Sequence, residues 1–236
     1  MKNQLSRRDF LKLGAFGVIG AGGATAIMQS KGKSHSRHNL PPMQDMDHGG
    51  GVIPGTGDVD YEKNGFNPGD ILTDFDYGKV SILPDGRTLR EYEITVINKN
   101  IEVVPGIEYP AWTYNGRIPG PTIRCTEGDL IRITMTNGSN HPHSMHFHGF
   151  HPGNMDGVPG SGPGGYVEPG DSFTYEFDAE PFGLHLYHCH VFPLARHIAK
   201  GLYGTFIVDP KEGRSPVDRE MVMVMSGFDV DFDDVN

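Results

Sequence analysis

From Arg90 to Ile97 the chain reads Arg-Glu-Tyr-Glu-Ile-Thr-Val-Ile, with apolar side chains at alternate positions and β-branched residues prominent. That is the pattern of a half-buried strand. Asp129–Thr136 repeats it through Ile131, Ile133 and Met135. Further strands are predicted over Ile101–Val104, Ala111–Tyr114, Ser144–Phe150, Ser172–Phe177, Gly183–Cys189 and Tyr203–Val208, and Pro121–Thr126 is strand-like. Turn signals separate them: Asn115-Gly116, Pro119-Gly120-Pro121, Glu127-Gly128-Asp129, Asn137-Gly138 and Pro169-Gly170-Asp171. About eight short strands at this spacing describe an all-β sandwich or barrel over residues 89–210. The one helical stretch expected is a turn or so near Leu194–Ile198, and His151–Gly170 is a long Gly/Pro loop expected to cover a site.

Composition agrees with this pattern. The 236 residues include 33 Gly and 18 Pro, which suits a turn-rich β-protein. The net charge of -10 argues against nucleic acid or an anionic membrane as partner. Ser6-Arg7-Arg8-Asp9-Phe10-Leu11-Lys12, followed by a Gly/Ala-rich apolar run to Met28, makes residues 1–30 a twin-arginine-type export signal. The protein is thus expected to be exported, to the periplasm or the exterior. Cleavage after Ala26 and retention as an N-terminal membrane anchor are both open. Residues 31–88 read as a flexible linker and irregular arm. The linker carries His35, His38, Met43, Met46 and His48, soft metal ligands in a stretch of otherwise disordered composition.

The candidate chemistry lies in two clusters. Nine of the twelve histidines fall between His141 and His197. One cluster is His143-Ser144-Met145-His146-Phe147-His148, and the other is His188-Cys189-His190 with His197 downstream. On a strand, residues i and i+2 share a face about 7 Å apart. His146 and His148 therefore point one way and His143 the other. His188 and His190 share a face, and Cys189 between them is turned away. If the two strands are neighbours, one surface collects His143 and Cys189, joined by His197 from the following loop. The opposite surface collects His146, His148, His188 and His190.

Two imidazoles and a thiolate describe a type 1, blue copper site. Its axial position would be Leu202, which cannot ligate and so favours the reduced ion. Four imidazoles without sulfur or carboxylate suit copper that meets dioxygen. Zinc also accepts Cys and His, but neither Cys-x-x-Cys nor His-Glu-x-x-His occurs. His141, His151 and His185 fit no ligand role and read as outer or solvent residues. Asp156 and Glu127 are candidates for relaying protons, with loop turn formation the favoured role. Cys125 reads as a small core residue.

At Tyr114-Asn115-Gly116-Arg117-Ile118-Pro119-Gly120-Pro121-Thr122-Ile123-Arg124, at Glu127-Gly128-Asp129, at His143-x-x-His146-x-His148-Gly149 and at His188-Cys189-His190, the chain resembles the laccase-like multicopper oxidases, over roughly residues 90–226. The resemblance implies a Greek-key cupredoxin β-sandwich. It also implies copper as cofactor and one-electron oxidation of a small reducing substrate at type 1 copper. That step would be coupled to dioxygen reduction at a trinuclear copper cluster. His143, Cys189 and His197 would be type 1 ligands, and His146, His148, His188 and His190 half of the type 2/type 3 cluster.

The seven residues between Cys189 and His197 are closer to the copper nitrite reductases. Those enzymes carry Asp where His146 stands and no histidine where His190 stands, so an oxidase of the two-domain type is expected. The missing half of the cluster implies a second cupredoxin domain or another copy of the chain. Residues 211–236 read as a connector or the start of such a domain. An electron-transfer or copper-binding domain without its own catalysis, and a nitrite reductase-like activity, are the alternatives.

Overall fold

A computed structural model describes residues 57–149 and 151–230. The export signal, the His- and Met-bearing linker and the last six residues lie outside this range. Ten strands form two sheets: β1 (Phe75–Asp76), β2 (Lys79–Ile82), β3 (Thr88–Val104), β4 (Ile107–Tyr114), β5 (Thr122–Thr126), β6 (Leu130–Asn137), β7 (His146–Phe147), β8 (Ser172–Asp178), β9 (Gly183–His188) and β10 (Tyr203–Asp209). Three short helices accompany them: α1 (Tyr61–Asn64), α2 (Pro68–Ile71) and α3 (Leu194–Ala199). One sheet runs β1-β5-β10-β9-β7; the other runs β2-β3-β6-β8, with β4 on β3. The fold is the expected all-β cupredoxin sandwich.

The alternation read from the sequence becomes the core. On β6, Ile131, Ile133 and Met135 point inward, and they meet Tyr92, Ile94 and Val96 of β3 and Tyr175 and Phe177 of β8. Burying each such side chain stabilises by about 1.5–3 kcal/mol. The central strand β10 is covered on both faces and accordingly shows no alternation: Gly204 through Val208 are all buried.

Three local differences from the expected strands have physical causes. β3 is one strand of 17 residues rather than two, because the polar run Asn98-Lys99-Asn100 stays in register with Trp112, Ala111 and Pro110 of β4. Residues 61–82, expected to be irregular, contribute two helical turns and two short strands. The turns are capped by Asp60, which accepts from the Lys63 N–H, and Asn67, which accepts from the Gly69 N–H. The strand expected over Ser144–Phe150 shrinks to His146–Phe147. Its first backbone groups are met by phenols instead of a neighbouring strand: Tyr114 donates to the Ser144 carbonyl at 2.7 Å, and the Met145 N–H donates to Tyr175 at 2.9 Å.

Gly204 stands opposite Tyr187 in the β9–β10 pair, and Tyr187 is wholly buried with its hydroxyl on the Pro121 carbonyl at 2.6 Å. A Cβ at Gly204 would meet that ring at 2.3 Å. Gly204→Ala should therefore lower stability by about 1–3 kcal/mol through overpacking. A denaturant midpoint equal to that of the parent chain would contradict this packing.

Candidate metal centre

Strands β7 and β9 are antiparallel neighbours, with His146 opposite His188 and Phe147 opposite Tyr187. Phe147 and Tyr187 enter the core, so the two histidines face outward together. The pairing continues as His148 N–H donates to the Leu186 carbonyl at 2.9 Å. Cys189 follows the end of β9 and turns inward, where it is fully buried. Its N–H donates to the Leu202 carbonyl at 3.0 Å, which ties the strand to the far end of the α3 loop.

The structure brings His143, Cys189 and His197 together in the interior. The Cys189 Sγ lies 3.7 Å from the His143 Nδ1 and 3.2 Å from the His197 Nδ1, and the two Nδ1 atoms are 3.1 Å apart. Metal–nitrogen and metal–sulfur bonds of about 2.0–2.3 Å in one plane give donor separations of about 3.5 Å. A triangle of this size with one sulfur and two nitrogens fits a single copper ion. The buried His143 Nε2 has no hydrogen-bond partner among the described residues, so no bond at its far side draws the ring away from the sulfur. The Ser144 N–H donates to Sγ at 3.4 Å, and Leu202 is fully buried in the same apolar cluster as Cys189.

On the opposite surface His146, His148 and His188 form a second donor set. The Nε2 atoms of His148 and His188 are 2.9 Å apart. The Nδ1–H of His188 donates to the Cys189 carbonyl at 2.9 Å, and the Nδ1–H of His146 donates to the Asp156 carbonyl at 2.7 Å. Such bonds fix the tautomer and leave on Nε2 the lone pair that a metal would take. His190 is not one of the three whose donor atoms converge. Its ring packs 5.0 Å from that of His146 and 5.7 Å from that of His188, and its N–H donates to the Ser144 hydroxyl at 3.1 Å.

His151, read from the sequence as an outer residue, sits beside the second donor set: its Nε2 is 3.1 Å from the Asp156 carboxylate, which also lies 3.1 Å from the His146 Nδ1. With its Nδ1 committed to Asp156, His146 makes this group a hydrogen-bonded brace. Glu127 accepts from the Phe182 N–H in the turn before β6 and lies in neither donor set. His185 is bonded to the Pro181 carbonyl at 3.0 Å, and His141 packs against Trp112 with the rings tilted by 42°. Sequence reasoning missed Trp112, whose ring touches both buried imidazoles. Its one signal was its status as the chain's single tryptophan.

Burial dominates the electrostatics of the inner set. It pushes the His143 imidazole down to about 3 and that of His197 to about 4, and raises the Cys189 thiol to about 11. The His148 and His188 imidazoles are lowered as well, first by burial. Folded-state values below the ordinary histidine value of 6.5 mean that the unfolded chain binds more protons between about pH 6.5 and 3. Stability contributed by these neutral rings is complete above 6.5 and is lost as pH falls through that window. The metal-free protein should therefore show a lower urea midpoint at pH 5 than at pH 7, where carboxylates have barely begun to protonate. Equal midpoints would mean that the rings are not held neutral.

A family model described as multicopper oxidase matches residues 95–213. A multicopper oxidase of known crystal structure is 60% identical, with a TM-score of 0.73, over 76% of this chain and 62% of its own. The multi-copper oxidase of Pseudomonas thermotolerans is 35% identical, with a TM-score of 0.51, over 58% of this chain and 32% of that one. The copper-containing nitrite reductase of Neisseria meningitidis is 36% identical over 138 residues, 58% of this chain and 34% of the reductase. The chain thus spans about a third of that curated relative and less than two thirds of the first solved one. With half of its residues matched by the family model and the sandwich architecture in common, this chain belongs to the multicopper oxidase family.

Proposed function

We propose that the chain is a copper-dependent oxidoreductase that takes single electrons from a small reductant and delivers them to dioxygen. The observation that carries this reading is the pair of donor sets joined at one residue. His143, Cys189 and His197 would hold the type 1 ion, and His146, His148, His188 and His190 would hold half of a type 2/type 3 cluster. Copper would supply one-electron acceptance at the first set and the binding and reduction of dioxygen at the second. The chain supplies the rest: Cys189 contributes the sulfur, its backbone runs directly into His188 and His190, and its carbonyl accepts the His188 Nδ1–H. Leu202, fully buried, would take the axial position and offers no donor. The Asp156 carboxylate orients His146 and His151.

The outer donor set is open on one side. On β9, Leu184, Leu186 and His188 share the outward face, and Leu184 is 65% and Leu186 50% exposed among the described residues. An apolar, exposed strip leading to half a cluster supports completion by a second cupredoxin domain or by another copy of the chain. The reductant class open to such a site is a phenol, an amine or a metal ion. Ser6-Arg7-Arg8 and the apolar run after it support export of the folded protein.

Two measurements test this reading. Cys189→Ser should abolish the visible colour of the copper-loaded protein while the circular dichroism of the fold is kept; unchanged colour would remove the type 1 assignment. Leu186→Glu should leave the colour intact but suppress oxygen uptake and lower the copper content of the assembly, because it charges the mating face. Full oxygen uptake in that variant would show that the cluster is not completed there. A nitrite-reducing activity is the second reading, favoured by the likeness to the Neisseria enzyme. It expects nitric oxide from nitrite and a reduced donor in place of oxygen consumption.

A further inference from the structure

Beside the main core the sandwich holds a second, smaller apolar cluster of Ile101, Tyr109, Ala111 and Ile118. Phe228 packs against it from the end of the chain. Residues 220–228 form a strap that is fastened to the domain at several points. Glu220 accepts from Arg124 at 2.8 Å and pairs with Arg214, and the Val222 N–H donates to the Leu72 carbonyl at 2.9 Å. The Ser226 hydroxyl bonds to that of Tyr203. Arg124 is itself fixed by a two-pronged bond to Asp209. Beyond these fastenings Phe228 meets Tyr109 edge-on, with ring centroids 5.1 Å apart.

Tyr109 is fully buried, and burying a hydroxyl is costly unless it finds a partner. The partner is α3: the Tyr109 hydroxyl donates to the Ala199 carbonyl at 3.1 Å. The last carbonyls of a helix have no donor within it. Here β4 serves two in succession, Ala199 through the Tyr109 side chain and Lys200 through the Trp112 amide at 2.9 Å. The Lys200 ammonium returns to the same strand, bonded to the Pro110 carbonyl at 2.9 Å and lying over the Tyr109 ring at 5.1 Å. Gly201 closes the join. Its φ is +114°, and a Cβ there would strike Ile118 of the same cluster at 2.1 Å. The segment gripped in this way, residues 199–201, lies between His197 and Leu202. His197 belongs to the inner donor set, and the Leu202 carbonyl holds the Cys189 amide.

We infer that Tyr109 is a positioning residue of the inner donor set and that Phe228 sets its stance, so the seating of the strap is felt at His197 and Cys189. The inference rests on the reading of His143, Cys189 and His197 as a type 1 copper site. Both aromatic residues act through the end of α3 and not by ligation. Without the hydroxyl the Ala199 carbonyl is left unmet and the segment after His197 relaxes. Without the Phe228 ring, Tyr109 loses the contact that holds it under α3.

Two mild substitutions test this. Tyr109→Phe removes the hydroxyl and keeps the ring, whereas Phe228→Ala removes the ring contact while Glu220 and Val222 still fasten the strap. Trp112 is the chain's only tryptophan, and it touches both Lys200 and His197. In the full chain without copper, both variants should therefore move its emission maximum. In the copper-loaded chain both should shift the visible band and the copper hyperfine splitting in the same direction. Each should also weaken copper binding about fivefold, as the loss of one hydrogen bond or its support would. Phe228→Tyr should restore the parent signals, and Ser226→Ala, elsewhere on the strap, should leave them in place. A merely structural role would lower the denaturant midpoint and leave emission and band unmoved, and that result would overturn the proposal. A response to Ser226→Ala as large as that to Phe228→Ala, or a response to Tyr109→Phe alone, would overturn the part given to Phe228. The two readings fail separately. A chain that colours with copper but ignores both variants removes the positioning role, whereas an emission that responds in a chain that never colours removes the copper site and keeps the brace.

Discussion

The backbone between His143 and His146 passes from one sheet to the other, where it has no strand to pair with. Its polar groups are nevertheless buried, and an unmet buried amide or carbonyl costs about 1–3 kcal/mol. The protein meets them with side chains. Tyr114 serves the Ser144 carbonyl, Tyr175 the Met145 amide, and the Cys189 sulfur the Ser144 amide. Tyr175 passes its own proton on to the Gly164 carbonyl at 2.6 Å, so the covering loop is fastened to the same post. The Ser144 hydroxyl accepts the His190 amide. This crossing segment therefore fixes both the inner and the outer donors, and a change in any of its phenols would be felt at both.

Such fixed donors suit the metal site proposed for them. The imidazoles are kept neutral and the thiol is surrounded by apolar groups before any ion arrives. Charges inside such a low-dielectric interior interact far more strongly than they would in water. The Leu202 side chain is fully buried in the same apolar cluster as Cys189, and the Leu202 carbonyl takes the Cys189 amide. Through that bond Leu202 fixes the backbone that carries the sulfur. Trp112 performs a parallel task from the other side: it packs on the two rings, and its own amide donates to the Lys200 carbonyl at 2.9 Å. That bond anchors the loop that brings His197 round.

The division of ligands between two faces was legible because it depends only on the two-residue period of a strand, and β7 and β9 keep that period through Phe147 and Tyr187. The sandwich was legible for the same reason in β3, β6 and β8. Other features depend on contacts distant in sequence. The polar run Asn98-Lys99-Asn100 falls between two predicted strands, but its partners lie ten or more residues ahead, in β4. His151 has no periodic relation to His146; the loop's own fold, through Asp156, places it there. Trp112 and Arg196 meet across more than eighty residues, and only packing brings them onto one indole. His190 lies just past the end of β9, yet its ring still packs 5.0 Å from that of His146 and 5.7 Å from that of His188, as the two-residue period expects.

The chain's only two cysteines, Cys125 in β5 and Cys189 at the inner donor set, are both free and both buried. Burial raises both thiols above the ordinary range, so neither offers a thiolate at neutral pH. An alkylating reagent can therefore reach sulfur only while the molecule breathes. The two sites form separate clocks, one on a strand wedged between β1 and β10 and the other at the end of β9. Comparing their labelling rates would separate opening of the sheet from opening of the centre.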